Sequence, residues 1–262
     1  MNLALFRWQM RKSLLIGIIF AAILTLYVTM ITSMYDPQSM AALVKFRDSM
    51  PQVMAAVGMD NAPTTLPEFL VNFLYGFLFL VFPMAFTLIR AHGTMAKYID
   101  SGALATLLAS PVSRRSLALT QFAVVITGTT MLLGYVTALE AIAATRVDGS
   151  LPGATLLTLN GGLLVLHLAI AAFSFWCSVA ASEAKTALAL GAGIPSAMLI
   201  FHLLAQAGEK TAGARFASIF TLFDPQALIA DGGGWGIAAL AAIGVVCLVG
   251  AIVTMDRRDF SL

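Results

Sequence analysis

Leu14-Leu-Ile-Gly-Ile-Ile-Phe-Ala-Ala-Ile-Leu-Thr-Leu-Tyr-Val-Thr-Met-Ile-Thr-Ser33 contains no charged residue and no proline. As an α-helix this stretch rises about 30 Å, the thickness of a bilayer's hydrocarbon core. Apolar side chains fall on all sides of it rather than along one stripe, so it is not the amphipathic helix of a soluble domain. Arg7, Arg11 and Lys12 stand just before it, as they would in a signal peptide. The apolar run is too long for one, and no small-residue cleavage pattern follows between Thr32 and Gln38, so it reads as a retained membrane span.

Five further stretches read the same way: Phe69 to Ile89, Leu117 to Ile142, Thr155 to Ala180, Thr186 to Leu204 and Trp235 to Thr254. None shows the strict alternation of a barrel strand. The expected fold is an all-α membrane protein, a single transmembrane domain over residues 1–262 with six transmembrane helices. Composition agrees, with hydrophobic residues at 60%, charged residues at 11% and a mean hydropathy of +0.91. A soluble domain carries roughly 25% charged residues, and one this apolar would expose patches large enough to aggregate. Disordered chains are poor in apolar residues, which excludes that class as well. A net charge of +2 on scattered basic residues leaves no footprint for nucleic acid. Cys177 and Cys247 lie inside apolar spans with no CxxC spacing and no His cluster beside them, so they read as buried thiols and no metal site is expected.

Basic residues in the short loops set the orientation. With both termini in the cytoplasm, the inner set is Arg7, Arg11, Lys12, Arg90, Lys97, Arg114, Arg115, Lys185, Arg257 and Arg258. The outer set is Lys45, Arg47, Arg146, Lys210 and Arg215. Ten against five favours cytoplasmic termini. Residues 1–13 place Leu3, Phe6 and Met10 on one helical face and Arg7 and Arg11 on another, with Trp8 suited to the headgroups. This reads as an interfacial helix leading into the first span, or as a plain positive anchor.

The loop between spans two and three, residues 90–116, is the most informative. Asp100 or Ser101 caps a helix there, and Leu104, Leu107 and Leu108 fall at i, i+3, i+4. Pro111 closes it after about two turns by turning Ser110 away from helical geometry. Ser113 then caps the third span. The result is a short amphipathic helix on the cytoplasmic side, whose apolar face needs a cover, either its own bundle or another protein.

Asp100-Ser-Gly-Ala-Leu-Ala-Thr-Leu-Leu-Ala-Ser-Pro-Val-Ser-Arg-Arg115 resembles the signature after the second helix of ABC-2-type transporter permeases. The pattern there is acidic-x-Gly-x-Leu-x-x-Leu-Leu-x-x-Pro-Val-x-Arg, matched by Asp100, Gly102, Leu104, Leu107, Leu108, Pro111, Val112 and Arg114. The family's frequent Glu is Asp here. The ending Met255-Asp-Arg-Arg-Asp-Phe260 is similar to the family's close, and six spans with an N-terminal interfacial helix extend the likeness to the whole chain. The resemblance implies a permease subunit in the cell membrane, of the bacterial cytoplasmic type, paired with a second permease subunit, identical or homologous. It further implies two cytoplasmic ATPases that carry ATP and Mg. The segment from Asp100 to Ser110 would be a coupling helix seated on the ATPase, with Asp100, Gly102, Leu104, Leu107, Leu108, Pro111 and Arg114 as coupling residues. The cargo would be an exported drug, peptide, lipid-like or other small substrate.

This chain has no phosphate-cradling GxxxxGK[ST] loop of its own. The nearest candidates are Gly208-Glu-Lys-Thr, which lacks a Gly before its Lys, and Asp231-Gly-Gly-Gly-Trp-Gly, which lacks the Lys. No enzymatic site is expected, and no cofactor of the chain's own. The outer loop 34–67 suggests two amphipathic helices, opened by Asp36-Pro37 and by Ser49 to Pro51, that form a lid or rest on headgroups. In the outer segment 207–233, Phe216 to Ile229 is apolar, too short to cross twice, and reads as re-entrant or interfacial.

Ionisable residues inside spans are candidates for the substrate pathway because burying them in lipid is costly. Glu140 falls toward the outer end of the third span, near enough to meet water. His167 is the deepest, able to donate to a carbonyl of a neighbouring helix, and His202 lies toward the outer end of the fifth. The small-residue runs Gly161-Gly162 and Gly191-Ala-Gly193 read as sites of close helix packing, and Phe73, Phe77, Phe79 and Phe82 as packing rather than a substrate box. A stand-alone secondary transporter or channel is the alternative, and it would call for paired broken helices with midplane charges. A membrane hydrolase would need a clustered nucleophile and base, which three isolated histidines do not provide.

Overall fold

The computed structural model describes residues 2–38, 45, 49, 63–94, 98, 113–206, 209–230 and 233–257. Every element in them is helical. Among the described residues six helices are long and apolar enough to cross a membrane: Leu14–Ser33, Leu66–Thr94, Arg114–Ala144, Gly153–Ala180, Ala184–Gln206 and Gly234–Arg257. The chain is a multi-pass membrane protein. These are spans one to six below, preceded by a separate helix α1, Leu3–Lys12, whose first turn is capped by Asn2.

The first span matches the hydropathy reading end to end, and the others run a few residues longer. The second starts at Leu66 because Thr65 and Glu68 form a reciprocal capping box with Pro67 in the first turn. The expected outer loop therefore gives up Leu66 and Pro67 to the span. At its other end the second span continues through Arg90 to Thr94, so Arg90 belongs to the helix and not to the loop. The third begins at Arg114 behind Ser113, whose Oγ accepts from the Ser116 N–H at 3.2 Å, as expected from the sequence.

Two spans are irregular. The second runs as α-helix over Leu66–Leu70, as π-helix over Val71–Leu78, and as α-helix again over Phe79–Thr94 with Pro83 inside. The fifth is two pieces, Ala184–Gly191 and Gly193–Gln206, meeting at Ala192.

The fourth span is the hub and packs against the second, third, fifth and sixth. Lipid tails are as apolar as leucine, so helices in a bilayer associate through close van der Waals contact and polar bonds rather than by burying apolar area. The sequence supplies small residues where this is needed. A Cβ on Gly244 would sit 3.3 Å from the Ala169 Cα, one on Gly250 would sit 2.8 Å from the Trp176 ring, and one on Gly236 would overlap the Leu222 carbonyl. Leu240, Cys247, Ala251 and Met255 complete the buried stripe of the sixth span at helical spacing. Gly191 and Gly162 serve close packing too, against Ser174 and against Leu228 and Phe223, whereas Gly161 and Gly193 face open space. Phe79 is fully buried while Phe73 and Phe77 are exposed on the outside of the bundle.

The far end of the bundle, away from the termini, is closed by short contacts. Tyr35 packs edge-on against Phe69 at 5.5 Å, and a Cβ on Gly149 would meet Leu66 and Tyr35 at 2.9 Å. The segment after the fifth span forms 3-10 helices at Glu209–Ala217 and Ile219–Leu222, then an α-helix at Pro225–Ala230. It turns Phe220, Phe223 and Leu228 into the core, and Gln226 donates to Asn72 of the second span at 2.8 Å. The two helices expected in 34–67 fall almost wholly outside the described residues.

Candidate functional site

Two groups of polar side chains interrupt the apolar bundle. The first surrounds the root of the loop between spans two and three. Asp100, Gly102, Leu104, Leu107, Leu108 and Pro111 lie outside the described residues, whereas Tyr98 before them and Ser113 after them are described. The Gln9 amide of α1 donates to Gln121 Oε1 at 2.9 Å and to the Tyr98 hydroxyl at 3.0 Å. The Asn2 N–H donates to Thr120 Oγ1 at 2.9 Å. One buried amide therefore joins α1, the third span and the residue that leads into the loop. Burial raises the Tyr98 phenol above its usual range, which keeps it protonated.

Beside this joint lies Arg90, 5% exposed, with Nη2 donating to the Val124 carbonyl at 3.2 Å and resting 3.6 Å from the Met10 sulfur. Past the loop, Arg115 Nε meets Asp256 Oδ2 at 2.6 Å and ties the start of the third span to the last turns of the sixth. This pair is largely solvated and contributes little energy, but it fixes which helix ends are neighbours. Arg114 stands between that pair and the Ser113 cap.

The second group lies inside the bundle toward the far end. Glu140, Asn160 and Tyr75 are 1%, 4% and 1% exposed. Tyr75 donates to Glu140 Oε2 at 3.0 Å, and Asn160 Nδ2 approaches the same oxygen at 2.7 Å, the Tyr75 hydroxyl at 2.6 Å and the Leu156 carbonyl at 3.2 Å. Glu140 Oε1 and Asn160 Oδ1 are buried with no hydrogen-bond partner. The sequence placed Glu140 within reach of water; the structure corrects this, because the second, third and fourth spans close over the carboxyl before it reaches the helix end. The π-helical run carries Tyr75 to the same point, and such runs are frequent at functional sites.

His167, fully buried, lies seven residues along the fourth span from Asn160. Its Nδ1 is 2.8 Å from its own helix's Leu163 carbonyl and its Nε2 is 3.4 Å from the Leu80 carbonyl of the second span. It is held by backbone and does not join the Glu140 cluster. His202 bonds Gln206 one turn on, at 3.0 Å.

No protein-family model matches this chain. No curated protein matches it either.

Asn160, Tyr75, Gln9, Gln121 and the burial of Arg90 were all missed from the sequence. Asn160 and Gln121 were within reach of the rule that singled out Glu140, because a side-chain amide inside an apolar span also demands partners. Tyr75 left no such signal, since tyrosine is ordinary in a span and only the π-helical turn aims it at the carboxyl.

Proposed function

We propose that this chain is the membrane-spanning permease subunit of an ABC transporter of the ABC-2 type. It forms part of a substrate pathway that is driven by a separate cytoplasmic ATPase. The observation that carries the reading is the segment from Asp100 to Arg114, whose acidic, glycine, leucine and proline positions follow the coupling-loop pattern residue by residue. Six apolar helices of spanning length and the Gln9 joint at Tyr98 support it. A force applied to the loop reaches α1 through Tyr98 and the third span through Gln121, so movement of the loop displaces whole helices rather than a slack tether. In this reading both termini are cytoplasmic, α1 lies in the membrane interface, a second permease subunit completes the pathway, and ATP and Mg are bound by the ATPase. The buried Glu140 favours the second reading, a stand-alone secondary transporter, because ionisable groups inside spans mark ion pathways.

Co-expression with the candidate ATPase separates the two. Leu104→Asp and Leu107→Asp put a charge on the apolar face proposed to seat on the ATPase. The expected result is loss of co-purification and transport, with membrane insertion intact. Unchanged co-purification and transport in both variants would remove the contact, and solute movement by the lone subunit in liposomes would favour the secondary transporter.

A further inference from the structure

We propose that Glu140, Asn160 and Tyr75 form a binding site for one exchangeable monovalent cation, a proton or an alkali ion. The hydrogen inventory of the cluster leads there. The Tyr75 hydroxyl spends its proton on Glu140 Oε2, and the two Asn160 amide hydrogens are shared among three acceptors, Oε2, the Tyr75 oxygen and the Leu156 carbonyl. What remains is acceptor capacity alone: Glu140 Oε1 and Asn160 Oδ1, both buried and unpartnered, on side chains that already touch at 2.7 Å. A buried acceptor without a donor is costly, and two together call for something positive.

The charge count fixes the valence. Among the described residues no basic side chain pairs with Glu140, and the groups acting on it are the neutral Asn160 and Tyr75. One positive charge restores neutrality in the apolar interior, whereas a divalent ion would leave a net charge there. The free donor set is oxygen only, which suits a proton or a hard alkali ion and not a soft metal. The titratable group facing Glu140 from the second span is Tyr75. On the fourth span the nearest is His167, occupied by the Leu163 and Leu80 carbonyls. On its own span the nearest along the helix is Tyr135, whose hydroxyl is bonded to Thr25 Oγ1 at 2.7 Å, and beyond the helix end at Ala144 come Arg146 and Asp148. Glu68 is engaged with Thr64 and Thr65 in its cap, and Asp224 caps the Ala227 N–H on the outer segment. Entry is shortest from the far end, because Glu140 stands four residues from the end of the third span and Asn160 seven from the start of the fourth.

This inference rests on the helical bundle alone and holds whether or not an ATPase binds the loop. The test is thermal unfolding of the purified, detergent-solubilised chain in sodium, potassium or choline chloride at equal ionic strength, over a series of pH values. An occupant that binds the folded state raises its Tm by mass action. If the occupant is an alkali ion, the wild type melts higher in sodium or potassium than in choline at fixed pH, and Glu140→Gln loses the difference. If it is a proton, the alkali ions have no effect, the wild-type Tm falls as pH rises, and Glu140→Gln loses that dependence. Asn160→Ala, which removes Oδ1 and keeps the carboxyl, shifts the midpoint of whichever dependence is seen by about tenfold in cation concentration, the scale of second-partner effects at ion sites. Wild type and Glu140→Gln tracking each other in both series would overturn the proposal. So would an unmoved midpoint in Asn160→Ala should Glu140→Gln fail to fold.

Discussion

Asn160 is the residue on which the inner polar group turns. Its amide is within hydrogen-bond reach of a carboxylate, a phenol and a carbonyl on three different segments while sitting two turns into an apolar helix. Removing it leaves Glu140 with a single donor, so Asn160→Leu is expected to destabilise the protein by about 1–3 kcal/mol, the cost of a stranded buried polar group. Thr87→Val, which breaks the 3.1 Å bond to Thr129 between the second and third spans, is expected to cost only about 0.6 kcal/mol, the average for an interhelical bond in a membrane. Chemical unfolding in mild detergent ranks the two. The double variant Asn160→Leu with Glu140→Leu should cost less than the sum of its singles, because Glu140→Leu removes the carboxyl that Asn160→Leu stranded. Additive costs would show that the two side chains do not act together. At this scale the sequence was readable only where a residue type was rare in its setting. Glu140 stood out for that reason, and Tyr75 did not.

The elements were more legible than the residues, and the reason is the solvent. A bilayer fixes the length of a crossing helix and forbids unpaired backbone, so hydropathy alone located six spans to within a few residues. It gave no sign of the π-helical run at Val71–Leu78 or of the break at Ala192, since both depend on which neighbours the helix meets. The same distinction separates glycines that look alike in the sequence. Gly250→Ala drives a methyl into the Trp176 ring and is expected to cost about 1–3 kcal/mol by overpacking. Gly17→Ala meets nothing within 4 Å on the first span and should be neutral or stabilising by up to about 1 kcal/mol through helix propensity. Equal melting shifts for the two would contradict the close approach of the fourth and sixth spans. At the other end of the bundle, Gln9 is the α1 side chain that bonds both Tyr98 and Gln121, beside the Asn2–Thr120 and Met10–Arg90 contacts. Gln9→Ala should raise amide exchange across Leu3–Lys12 while leaving the fourth span unchanged, because local opening follows the contacts that are lost. Unaltered exchange in α1 would show that its apolar face, and not Gln9, holds it in place.

For the molecule as a whole, the proposed function depends on which way the bundle faces. The Arg115–Asp256 pair and the Gln9 joint place both termini and the root of the 99–112 loop at one end of the bundle. An ATPase can reach that loop only if this end is cytoplasmic. The charge pattern argues for it, since Arg7, Arg11, Lys12, Arg114, Arg115 and Arg257 stand at that end, and basic residues flanking spans are retained on the cytoplasmic side. Trp8 and Trp235 are exposed near opposite ends of the bundle, and in the proposed orientation they would anchor it at the two interfaces. The expectation is checked with single cysteines in a background lacking Cys177 and Cys247. Asp148→Cys at the far end should react with a membrane-impermeant maleimide in intact cells, and Arg257→Cys should react only after the membrane is opened. The reverse pattern would put the loop from Asp100 to Pro111 outside, beyond the reach of any ATP-binding partner. The permease reading would then fall, while the cation site at Glu140 would stand, opening toward the cytoplasm instead.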